Sequence, residues 1–68
     1  MIVNDVQLQA TEERIAWFRR QISHIRAVEK NPENYRLSAG GFVAEVGKMQ
    51  REVLEYLAIH PGELASVN

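Results

Sequence analysis

Apolar residues in the first half of the chain recur at alternating steps of three and four. Leu8, Thr11, Ile15, Phe18, Ile22 and Ile25 form one such series, with Thr11 as its single polar member. At about 100° per residue these positions fall on one stripe of a helix, the heptad seam that packs against a second helix. A second series follows in Tyr35, Ala39, Phe42, Val46, Met49, Val53 and Tyr56. The spacing therefore predicts two long helices, over 5–29 and 32–60.

The ends of the helices carry their own signals. Asn4 is placed to cap the first helix, with Gln7 three residues on as a variant capping box and Val3 and Leu8 as a hydrophobic staple. Asp5 falls in the first turn, where the helix dipole favours a negative charge. The break is Lys30-Asn31-Pro32-Glu33-Asn34, because proline disfavours the α conformation of the residue before it and suits the first position of a helix. Asn31 is then the cap of the second helix, with Asn34 as the other candidate. Gly40-Gly41 costs about 1 kcal/mol per glycine in a helix interior, so the pair marks either close packing or a kink. His60-Pro61-Gly62 closes the second helix, with His60 complementing its C-terminal dipole, and 61–68 is expected as a frayed tail.

These elements predict an all-α fold, one domain over 1–68 built as an antiparallel two-helix hairpin. A turn at Pro32 brings Phe18 level with Val46 and Ile22 level with Phe42; this register is preferred, and a slip of three or four residues would mesh tolerably. The hairpin leaves a second apolar stripe on the second helix, Val43, Gly47, Gln50, Leu54 and Leu57, and leaves Trp17 and Val28 outside the seam of the first. Exposed apolar patches of that kind mark interaction surfaces. Trp17, Val43, Gly47, Gln50, Leu54 and Leu57 are therefore the expected interface. Gly40, Ala44 and Gly47 add small residues that let backbones approach. Two hairpins joined as a four-helix bundle would cover the stripe, and a twofold homodimer is the commonest way to build one.

Composition sharpens this picture. In 68 residues without cysteine, no disulfide or thiolate metal site can supplement the core, and a core of this size rarely supplies more than about 3–5 kcal/mol. A partner chain is the remaining source of stability. No apolar run approaches the roughly 20 residues that cross a bilayer, and Met1-Ile2-Val3-Asn4-Asp5 lacks the charged and apolar regions of a signal peptide. The expected location is the cytoplasm, without membrane attachment.

Candidate chemistry is sparse. Neither His24 nor His60 has the glutamate three residues earlier that a di-metal bundle uses. Glu52 and Glu55 belong to an outward face beside Lys48 and Arg51. Ser23 and Ser38 have no histidine–carboxylate arrangement, and Gly40-Gly41 lacks the Gly-Lys-Ser/Thr ending of a phosphate loop. No catalytic residue, metal ligand or cofactor is expected. Eight basic residues against nine acidic ones give a net charge of −1, which argues against nucleic acid as a partner. A helix-turn-helix with its turn at Ser38–Gly41 would present Glu45, Glu52 and Glu55 to phosphates. A ribbon-helix-helix using Val6-Gln7-Leu8-Gln9 as its strand would carry no positive charge there.

Residues 34–61 carry Asn34-Tyr35, Ala39, Gly41-Phe42, Ala44-Glu45-Val46, Met49, Glu52, Glu55-Tyr56-Leu57 and His60-Pro61. In this the chain resembles small uncharacterised bacterial helical-hairpin proteins, which have a single glycine where Gly40-Gly41 stands. The resemblance implies a helical fold and brings no activity or functional residue with it. Short chains of this kind also sit among toxin–antitoxin and regulatory genes. The expected function is a non-enzymatic protein–protein interaction or scaffold module acting as a homodimer. The alternative is a small regulatory or antitoxin-like protein that binds another, unidentified protein, with or without DNA.

Overall fold

The computed structural model describes residues 1–66, with 64–66 by backbone alone. Helix α1 spans Asp5–Val28, α2 spans Pro32–Leu57 and a short α3 spans Pro61–Ser66. Among the described residues there is no strand, and Val6–Gln9 lies within α1. The two long helices pack against each other as an antiparallel hairpin.

Local signals account for the start of each helix. The Asn4 side chain accepts from the Gln7 amide at 2.8 Å, and the Gln7 side chain accepts from the Val3 amide at 3.0 Å. Two amide donors that the helix cannot satisfy are thereby paired. At α2, Asn31 accepts from the amides of Glu33 at 2.9 Å and Asn34 at 3.3 Å, with Pro32 in the first helical position. Glu29 ends α1 with extended backbone and accepts from the Asn31 amide at 3.1 Å. Three residues, Glu29 to Asn31, thus make the whole connection.

Every residue of the two seams is buried or half-buried. Thr11, the polar member, donates its hydroxyl to the Gln7 carbonyl at 2.8 Å and so needs no partner from α2. Burial is deepest on α2, at Ala39, Val46, Met49 and Tyr56, whereas no residue of α1 is fully buried. At mid-length the rings of Phe18 and Phe42 lie 5.6 Å apart. Phe42 is one helical turn nearer the loop than Val46, so the two large rings meet diagonally across the seam.

The open end of the hairpin is tied by a polar bond within the seam. The Tyr56 hydroxyl donates to Asp5 Oδ1 at 2.7 Å, across 51 residues of sequence. Ile2 is buried beside Tyr56, in a cleft that also includes Glu52 and Glu55. The apolar residue ahead of the cap that packs is therefore Ile2, while Val3 of the expected staple is 54% exposed. Glu52, expected on a solvated face, is half-buried here.

The second helix stops at Leu57, earlier than the expected 60. Pro61 disfavours helical backbone at His60, and the chain instead restarts as α3. His60 serves this new start. Its Nδ1 accepts from the Gly62 amide at 2.9 Å and its carbonyl accepts from the Glu63 amide at 2.9 Å. It caps α3 where a dipole partner at the end of α2 was expected, and residues 61–66 form a helix in place of a frayed tail. Val67 and Asn68 lie outside the described residues.

The bond to Asp5 raises the Tyr56 hydroxyl above its ordinary pKa of 10.0, with burial and the negative charge of Asp5 adding to the effect. An acid whose folded pKa is raised holds its proton longer when folded than unfolded. Its contribution is therefore complete below about pH 10 and lost as pH rises through the folded value. Tyr56→Phe should lower the melting temperature at neutral pH, because the bond to Asp5 is lost. Thermal melts between pH 8 and 11 should fall more steeply for the native chain than for Tyr56→Phe. Parallel curves would show that the tie does not form.

Candidate interaction face

The molecule is a rod. Its principal extents are 52 × 16 × 13 Å and its radius of gyration is 15.6 Å, against about 11 Å for a compact chain of this length. It exposes 5417 Å², whereas a compact protein of 7.8 kDa exposes about 4,400 Å². Roughly 1,000 Å² of surface is thus in excess of what a globular monomer shows. The excess follows from having two helices and only one line of contact between them.

One flank of the hairpin carries three of the large apolar side chains left exposed, while Val6, Val28 and Leu37 are exposed elsewhere on the rod. Val43 is 51% exposed, Leu54 66% and Leu57 59%. Between α2 and α1, Val43, Gly47 and Gln50 line a cleft of about 350 Å³ with Arg19, Ile22 and Ser23. Gln50 and Leu54 continue into a second cleft of about 300 Å³ against Ile15. Five of the six residues expected at an interface therefore share one continuous flank.

Trp17 is the sixth, and the structure separates it from them. It lies about 200° around α1 from Arg19, on the other flank. There its ring stands edge-on to Phe18 at 5.1 Å and to Phe42 at 6.3 Å. Trp17 thus extends the aromatic cluster of the seam and remains half exposed on the side away from Val43 and Leu54.

The glycines of α2 make no kink. The helix is continuous through Gly40 and Gly41, with no positive φ and no break. A Cβ built at Gly40, Gly41 or Gly47 would meet nothing within 4 Å. Close packing inside the hairpin therefore does not account for any of them. Gly40 and Gly47 belong to the flank of Val43 and Leu54, whereas Gly41 belongs to the opposite side.

Convergent chemistry is not what this face offers. Among the described residues no three histidine or acidic side chains are grouped to hold a metal ion. No helix among them is long and apolar enough to cross a membrane. Ser38–Gly41 continues α2 without a turn, so the helix-turn-helix geometry is absent from this segment. Compared with known protein families, with curated proteins and with solved structures, the chain finds no match in any of the three.

Gly41 gives a direct measure of what glycine costs this helix. With open space around its Cα, Gly41→Ala should stabilise the fold by about 0.5–1 kcal/mol. A rise in the denaturant midpoint checks this, and a fall would show that a neighbour occupies that side.

Proposed function

We propose that the chain is a non-enzymatic interaction module whose working form is a homodimer of hairpins joined as a four-helix bundle. The continuous apolar flank from Val43 to Leu57 carries this reading. Covering a large aliphatic side chain contributes roughly 1.5–3 kcal/mol, so two copies of Val43, Leu54 and Leu57 supply a substantial driving force. Association costs about 4–15 kcal/mol, which makes the dimer sensitive to the loss of one anchor. The proposed role is surface recognition alone, in the cytoplasm.

Trp17 favours a second reading, in which the module is an antitoxin-like regulator. Its half-exposed indole lies on the flank that the dimer leaves free, where a different protein could be held.

Sedimentation equilibrium at micromolar concentration tests the proposal. The native chain should run near twice its mass of 7.8 kDa. Leu54→Lys should run as a monomer with a lower melting temperature, while Glu55→Lys, one residue along and off the flank, should remain a dimer. A native chain at monomer mass would overturn the reading.

A further inference from the structure

Along α1, the positions that border the apolar flank repeat every seven residues. They are Asp5, Glu12, Arg19 and Arg26, all of them exposed. The order is acid, acid, base, base. Such a stripe complements itself when a second copy runs the opposite way, with its centre of inversion between residues 15 and 16.

On α2 the same flank carries Gly40, Gly47 and Leu54, again at steps of seven. Leu54 projects from the surface at 66% exposure, while the space above Gly40 and Gly47 is empty. This stripe also complements itself under inversion, now about Gly47, because that operation sets Leu54 over the partner's Gly40. The two centres lie at similar levels along the hairpin. Phe18 reaches Phe42 and Ile15 shares a cleft with Gln50 and Leu54, while Gly47 shares one with Arg19 and Ile22, so the two midpoints fall within about one helical turn of each other. Charge on one helix and shape on the other therefore point to a shared axis.

We propose that two copies stack flank to flank about a twofold axis running across the helices, past Ala16 of each α1 and Gly47 of each α2. Glu12 then pairs with the partner's Arg19, and Asp5 with the partner's Arg26. In this arrangement α1 lies antiparallel on the partner's α1 and α2 antiparallel on the partner's α2. Ala16 and Gly47, both small, occupy the points of closest approach. The surface available suits it, since the excess of roughly 1,000 Å² per chain matches the about 800 Å² per partner of a standard stable interface. An axis parallel to the helices would instead stack α1 on the partner's α2. It would bring Arg26 level with the partner's Arg36 and leave Glu12 and Arg19 without opposite charges. The inference rests on the homodimer reading and adds to it the axis and the means by which one copy selects another.

Complementary charge reversals test the axis separately from the dimer. Glu12 and Arg19 have no charged neighbour three or four residues away on α1, so reversing them spares interactions within the helix. Glu12→Arg alone and Arg19→Glu alone should each weaken self-association about tenfold or more, because each sets like charges against each other twice across the axis. Mixing the two variants should restore association as a heterodimer, and the double variant should again form a homodimer. Native mass spectrometry of a mass-labelled pair reads all four cases, with circular dichroism to show that each variant is helical. A native chain that is monomeric throughout overturns the homodimer reading, including the case in which the flank serves a different protein. A native dimer whose single variants pair with themselves as readily as with each other leaves that reading standing and overturns the axis. A native dimer with the mixture and the double variant both monomeric also overturns the axis.

Discussion

Two helices can touch along only one line, and nearly everything about this molecule follows from that restriction. Each seam covers about a third of its helix, so the rest of either surface faces water or a neighbour. The consequence is visible on α1, where Leu8, Ile15, Phe18, Ile22 and Ile25 are all half-buried and none is fully enclosed. The hairpin compensates at its ends, where Asn4 and Asn31 pair the free amides and the Tyr56–Asp5 bond closes the open mouth. No arrangement of these residues within one chain covers both sides of α2. In the proposed dimer the further line of contact comes from a second hairpin.

The seams were legible because burial and period coincide: a residue in the contact line must repeat at three and four, and apolar residues do so from Leu8 to Tyr56. The caps were legible because Asn before a helix and Pro at its first position act locally. What depended on tertiary placement was not. Whether Ile2 or Val3 packs is decided by the path of the chain beyond the cap, where no periodicity applies. The hydroxyl of Tyr56 was invisible for a different reason, since its ring alone justified its place in the seam and its polar atom found Asp5 only once the helices were aligned.

The candidate face shows the same division. Hydropathy identifies which residues are left over, and it selected Trp17 together with Val43, Leu54 and Leu57. Angle decides which of them share a side, and angle removes Trp17. The charges of Asp5, Glu12, Arg19 and Arg26 were in plain view, yet their order acquires meaning only when the flank they border is known. Gly40-Gly41 likewise read as close packing or a kink, and Gly40 and Gly47 as small residues that let backbones approach, before the space around them proved empty. Each glycine costs the helix about 1 kcal/mol with no contact inside the chain to offset it, and in the proposed dimer the room at Gly40 and Gly47 is taken by the second copy.

The central claim is that the fold of one hairpin is completed by association, and the concentration dependence of unfolding tests it most directly. Thermal melts of the native chain at about 1 μM and about 100 μM should differ by several degrees, the more concentrated sample unfolding later, because mass action stabilises a folded state that dimerises. A melting temperature that does not move over that range would mean that each hairpin stands alone, and would contradict the account.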